Sequence, residues 1–201
     1  MEKKSNGSAE NALTRSEEVL LQYEGMLTTH KRSDTPFNIN CDYIEGDVRT
    51  GRILNDQKKL EKYGEGPWVK EPDRVSFKTT GGYHCLIRRN MGGGTLCGYV
   101  GIPKGHPLHG MHYDDEKLHD CIVHGGLTFS EDRPPNGFSS SVWYFGFDCS
   151  HAGDLVPLVN RNFIDVGVSL NPIVDGTYKD VEYVSNQVLL LAGWLMGAAL
   201  K

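Results

Sequence analysis

Two stretches, CIVHGGLTFS at 121–130 and SVWYFGFDCSHAGD at 141–154, decide how this chain folds. They flank EDRPPNGFSS (131–140), which is rich in the Pro, Asn, Gly and Ser that turns use to fix φ and to make local side-chain hydrogen bonds. Ile122, Val123, Leu127 and Phe129 on one side, and Val142, Trp143, Tyr144, Phe145 and Phe147 on the other, have the β-branched and aromatic character of strands packed on at least one face. The spacing predicts a hairpin with a long loop. Closing that hairpin brings Cys121 and His124 towards Asp148, Cys149, His151 and Asp154, so one corner of a sheet gathers the chemistry-bearing groups.

Upstream, the pattern is again that of strands. Val75 and Phe77 precede a run in which Tyr83, Cys85 and Ile87 alternate with His84, Leu86 and Arg88, a period of two. Met91-Gly92-Gly93-Gly94 supplies a turn and TLCGYVGIP (95–103) the returning strand, giving a second hairpin over about 83–102. Gly98 and Gly101 within that strand predict a bulge or the close approach of a neighbouring backbone. A rigid loop, PKGHPLHG (103–110), then carries His106 and His109, and 113–119 reads as a short acidic helix. Downstream, 155–172 reads as irregular apolar chain around Pro157 and Pro172. Thr177 and Asp180 resemble a capping box, and Tyr178, Val181, Val184, Val188, Leu191 and Leu195 follow at spacings of three and four. They predict a helix over about 178–198 whose apolar stripe covers one face of the sheet.

The N-terminal third is less patterned. Residues 1–15 are polar and small and are expected to form a flexible, disordered arm. Ser16-Glu17-Glu18 reads as a helix start, with Val19, Leu20, Tyr23 and Leu27 as its stripe, and Ile39, Cys41, Tyr43 and Ile44 suit a short strand. Residues 55–63 read as one or two solvated helical turns. The expectation is therefore an α+β protein: a flexible arm over 1–15, then a single domain over 16–201. Its core is an antiparallel sheet built from two hairpins and covered by the C-terminal helix.

Composition narrows the partners. A chain of 201 residues fits one core. A formal charge of -5 and a pI near 5.9 argue against a nucleic-acid polymer as partner, which needs clustered Lys and Arg to release counterions. A small anionic molecule is still admissible, because a local pocket can be positive inside an acidic protein. The N-terminus has no apolar signal region, and the apolar run 188–200 is shorter than the roughly 20 residues that span a bilayer, so a cytoplasmic protein without membrane contact is expected. Five cysteines without CxxC spacing read as reduced, packed thiols rather than a disulfide framework.

Several constellations can carry chemistry. Asp148, His151 and Asp154 recur every three residues where a strand ends, and with His124 they form the candidate catalytic set. A carboxylate can orient an imidazole as a general base, or carboxylates and imidazoles together can hold a divalent metal. Gly125 and Gly126 follow His124 and offer backbone N–H groups as an anion-binding nest. Arg88, with Arg89 beside it, has the guanidinium fork that matches a phosphate, and His106 and His109 suit a loop lining the same site. A zinc site from Cys121, His124, Cys149 and His151, and a cysteine nucleophile at Cys149, are weaker fits: the spacing is that of no zinc finger and no cysteine-hydrolase signature is present. Against all of these stands a purely structural reading, in which the glycines make turns, the His and Asp residues cap them, and a protein surface is the partner.

The motifs CGYVGIPKGHPLHG (97–110), VHGGLTFS (123–130), WYFGFDCSHAGDLVP (143–157) and TYKDVEYVSNQV (177–188) resemble a family of phage and prophage proteins of no assigned activity. The resemblance covers about residues 83–195. It implies an accessory protein of the host cytoplasm and supplies neither a reaction nor catalytic residues. Phage accessory proteins of this size include ones that bind or destroy signalling nucleotides. Three expectations follow: a module that binds a small anionic ligand such as a nucleotide at the Gly/His/Asp corner; a metal-dependent or acid/base hydrolase of a phosphodiester or ester; or an interaction protein.

Overall fold

Strands form where period-two alternation and β-branched content coincide. The structure, a computed structural model, describes residues 42–43, 54–79, 81–132, 141–165 and 176–200. All of these lie in the unit Cys41–Lys201. The arm expected over 1–15 and the helix expected to start at Ser16 fall outside the described residues. In chain order the elements are β1 (Asp42–Tyr43), α1 (Asp56–Tyr63), β2 (Arg74–Lys78), β3 (His84–Arg89), β4 (Leu96–Pro103), β5 (Phe129–Glu131), β6 (Val142–Asp148), α2 (Pro157–Asp165) and α3 (Val181–Ala198). The six strands make one antiparallel sheet in the order β1-β2-β3-β4-β6-β5. The architecture is α+β, as the sequence predicts, with α3 packed on β3 and β4.

Directly paired residues of an antiparallel sheet share a face. Val75, Ile87, Gly98 and Phe147 therefore lie on one face, with Phe77, Cys85, Val100 and Phe145 beside them. That face receives Val184, Val188, Leu191 and Leu195 of α3, all buried, each contributing on the order of 1.5–3 kcal/mol of apolar burial. Gly98 is small for this reason: a Cβ there would come within 2.6 Å of Val188 Cγ2 and 2.5 Å of Phe147 Cζ. The close approach predicted at this glycine is that of side chains, not of another backbone. The opposite face carries a smaller cluster of Leu86, Cys97, Tyr99 and Tyr144. There the polar groups pair among themselves, with His84 bridging Ser76 Oγ and the Tyr144 hydroxyl at 2.8 Å each.

Five sequence expectations change. The run 121–128 is not a strand. Only Phe129–Glu131 pairs with β6, because Gly125 and Gly126 take successive positive φ values of 66° and 84°, which no strand accommodates. Cys121 and Val123 are buried while Ile122 is 85% exposed. Second, 157–165 is helical. Pro157 stands at the first helical position, where its missing N–H costs nothing and its φ is already set. Third, α3 is capped by Asp180, whose carboxylate accepts from Tyr183 N at 2.8 Å, while Thr177 pairs with Asp154 in an isolated bridge. The acidic 113–119 segment forms only a single 3-10 turn at Glu116–Leu118, and α1, expected to be solvated, buries Lys59 and Tyr63. Among the described residues no helix is long and apolar enough to cross a membrane.

Candidate functional site

The corner forms where β6 stops. Asp148 Oδ1 accepts from Ser150 N at 3.0 Å and turns the chain, and Asp154 N returns to His151 O at 3.0 Å around Gly153, whose φ is +90°. The chain is then pinned to the approach of α3, since Thr177 N donates to Gly153 O and Leu155 N to Thr177 O. Gly176 is required there, because a Cβ at that position would fall 2.5 Å from the Asp154 carbonyl carbon. On the other side, the Val123–Gly126 turn holds His124 over the first turns of α3.

His124 is gripped at three points. Its N–H donates to Gln187 Oε1 at 2.9 Å, Nε2 lies 2.8 Å from Asp154 Oδ2, and Nδ1 lies 3.0 Å from the Tyr183 hydroxyl. A carboxylate can only accept, so the neutral ring carries its proton on Nε2 and Nδ1 accepts from Tyr183. Burial, with Cys149 and the Asp154 charge adding to it, holds the Tyr183 phenol above its ordinary pKa and keeps it a donor. Asp154 is the hub, its side chain 3% exposed. Oδ2 also accepts the His151 N–H at 2.9 Å, and Oδ1 faces Lys179 Nζ at 3.8 Å.

His151 completes the group. Its ring lies edge-on to that of His124, centroids 5.5 Å apart, and fills the space that a Gly125 side chain would need. Its Nδ1 is buried and makes no hydrogen bond among the described residues, although Asp154 Oδ2 is 3.7 Å away and Asp148 Oδ1 is 3.9 Å away. Asp148 is held in turn by Thr128 Oγ1 at 3.0 Å. One ligand atom each from His124, His151 and Asp154 lie within 4.8 Å of one another. Two donors about 2.1 Å from a common zinc ion lie at most about 4.2 Å apart, so small side-chain rotations would bring all three onto one ion.

Of the sequence-derived candidates, the fold brings together His124, Asp148, His151 and Asp154, with Gly125 packed against them. It does not bring in the histidine loop. His106 bonds Leu195 O at 2.8 Å, twelve residues or about 18 Å along α3 from Tyr183. His109 packs on Trp143, five residues or roughly 16 Å along β6 from Asp148. Arg88 shares a sheet row and face with Cys97 and Asp148, two strands from the corner. Arg89 is buried among Asp73, Glu71, Tyr178 and Gly94 O and is structural. The nest expected at Gly125-Gly126 is not available as a pair, because Gly126 N donates to Val123 O and His124 N to Gln187. Cys121 and Cys149 are buried, and burial pushes the Cys121 thiol up to about 12 and Cys149 higher, so neither is a ready nucleophile or a member of the His/Asp group.

Lys179, Tyr183 and Gln187 are site residues that sequence reading missed. Their signal was a polar residue every four positions along one flank of the helix, beside the apolar stripe. No family model, curated protein or solved structure matches this chain. The function is accordingly read from the chemistry of the corner.

Proposed function

We propose that His124, His151 and Asp154 form a divalent-cation site through which the protein binds a small anionic ester, nucleotide phosphates included, and hydrolyses it. The observation that carries this reading is His151 Nδ1: a buried imidazole nitrogen, without a hydrogen bond among the described residues, faces two carboxylate oxygens at 3.7 and 3.9 Å. A buried polar atom left in that state costs about 1–3 kcal/mol, which a shared cation removes. An ion taken up at His124 Nε2 would replace the proton held there, the ring proton then standing on Nδ1 and donating to the Tyr183 hydroxyl, so that Tyr183 and Gln187 would serve as the outer partners that fix a metal-bound histidine.

The charge balance favours the same order of events. Two carboxylates, Asp148 and Asp154, flank His151, and the Lys179 ammonium faces only Asp154, so a dication among them makes the corner more attractive to an anion. Such an ion polarises an ester oxygen and lowers the pKa of a bound water. Asp148 lies beside it as the acid/base group.

The test is calorimetric titration of chelator-stripped protein with Zn2+ and Mn2+, followed by assay of mono-, di- and cyclic nucleotides and bis(p-nitrophenyl) phosphate. One ion per chain is expected. In His151→Ala, affinity should fall by more than the roughly 10–100-fold typical of changes to outer partners. Nucleotide-dependent thermal stabilisation without product would assign the corner to binding alone. An absence of ion uptake, or uptake unaltered in His151→Ala, overturns the proposal.

A further inference from the structure

Resting on that cation reading, we propose that Lys179 is the anion-reading residue of the corner and restricts it to phosphoryl-bearing substrates over neutral carboxylic esters. The geometry divides the two oxygens of Asp154. Oδ2 takes His124 Nε2 and the His151 N–H, at 2.8 and 2.9 Å, and is the oxygen that faces the ion-holding imidazoles. Oδ1 faces Lys179 Nζ at 3.8 Å. The ammonium also lies over the ring of Tyr183, 5.1 Å from Nζ to the centroid, and the lysine side chain remains 18% exposed. Lys179 directly precedes the Asp180 cap of α3, and its partner Asp154 is fixed to that same segment by the Thr177 bridge. The lysine is therefore placed by the fold rather than by a free surface rotamer.

Across one carboxylate, then, stand two positive positions: the cation among the imidazoles and the ammonium of Lys179. With nothing between them they repel, and an anion spanning both offsets that repulsion. A phosphate diester or monoester carries non-bridging oxygens that reach two cationic centres at once, and lysine serves such oxygens as a compact point charge. A neutral carboxylic ester has one carbonyl oxygen to polarise and no second anionic oxygen for the ammonium. If Lys179 did no more than neutralise buried Asp154, its removal would leave phosphate affinity of the loaded protein unchanged.

The two halves of the proposal predict effects of opposite sign. Lys179→Met should bind Mn2+ several-fold more tightly than wild type, because a competing positive charge is gone. The manganese-loaded variant should bind inorganic phosphate about tenfold or more weakly, the loss of one charge-assisted hydrogen bond. Turnover of bis(p-nitrophenyl) phosphate should fall by a clearly larger factor than turnover of p-nitrophenyl acetate, and Lys179→Arg should retain most of the phosphate affinity. Lys179→Gln repeats the measurement should the methionine variant fold poorly, with melting curves of both as the control. Unchanged phosphate affinity in the loaded variants overturns the role of Lys179 and leaves the cation site standing. Failure of the wild type to take up Mn2+ or Zn2+ removes the cation reading and this one together.

Discussion

Gly125 and Gly126 are neighbours in sequence with the same backbone demand and opposite surroundings. Both have positive φ, 66° and 84°, where a side chain costs on the order of 1–2 kcal/mol. A Cβ on Gly125 would sit 2.2 Å from His151 Cε1, inside the imidazole, whereas nothing lies within 4 Å of a Cβ on Gly126. Gly126→Ala is thus expected to lower stability by about that backbone cost and leave Zn2+ uptake intact. Gly125→Ala is expected to lower stability somewhat more and to abolish uptake by expelling the His151 ring. Thermal melts paired with Zn2+ titration separate the two, and equal Zn2+ affinity in both variants would show that the ring position does not matter. At this scale the sequence exposed half of the site. His124, His151 and Asp154 were legible because polar groups crowd the end of an aromatic strand. Lys179, Tyr183 and Gln187 were not, because a helix read for its apolar stripe hides a polar flank. Where Arg88 stands relative to the corner was not legible either: its row with Cys97 and Asp148 depends on strand register, which no single strand reveals.

The start of α3 carries half the corner, and a buried ionic network fixes it. Glu71 Oε1 accepts the N–H of Val181 at 3.1 Å, and Oε2 accepts from the Tyr178 hydroxyl at 2.6 Å and from Arg89 Nη2 at 3.2 Å. Arg89, wholly buried, also reaches Asp73 Oδ1 at 2.5 Å, and that oxygen lies 3.2 Å from Lys59 Nζ of α1. Glu71→Ala leaves a helix N–H and part of the buried guanidinium uncompensated, for which a loss of about 3–5 kcal/mol is expected. Asp180→Ala removes only a cap and should cost about 1 kcal/mol. Urea unfolding measures both, and a Glu71→Ala loss no larger than that of Asp180→Ala would mean that the network does not anchor the helix. None of this was legible in the sequence: Lys59 lies in 55–63, which reads as solvated helical turns until Asp73 is seen to pair with it in the interior. The elements that were read correctly, the β3–β4 hairpin and α3, are those whose apolar periodicity runs unbroken. The misread ones, α2 and the 121–128 run, turn on single residues: Pro157, which starts a helix as readily as it breaks one, and Gly125-Gly126, which end a strand that side-chain content alone would continue.

At the scale of the described molecule, the sheet and the segments packed on it bury phenols and thiols where their ionised forms are disfavoured. Burial raises Tyr63, Tyr99, Tyr144 and Tyr178 above their ordinary 10.0, Tyr144 to about 12, and raises Cys97 and Cys121 from 9.0 to about 11 and about 12. Unfolding releases these groups to their ordinary values. Above pH 9, and increasingly above 10, the unfolded chain therefore binds fewer protons than the native protein, and stability falls as pH rises. Each group contributes up to about 1.4 kcal/mol of lost stability per pH unit once its unfolded form has titrated and before its folded form does. The full contribution is present below pH 9, where both states keep their protons, and is lost as pH climbs towards the folded values near 11 and 12. Urea midpoints under reducing conditions should accordingly be level in this respect from pH 7 to about 8.5 and decline steeply from about 9.5 upwards. A Tyr144→Phe variant discriminates this from general charge repulsion. It loses the hydrogen bond to His84 at every pH, so it starts lower, but with one fewer phenol to ionise on unfolding its decline must be shallower than that of the wild type. Parallel declines would show that the Tyr144 phenol has no part in the alkaline loss of stability.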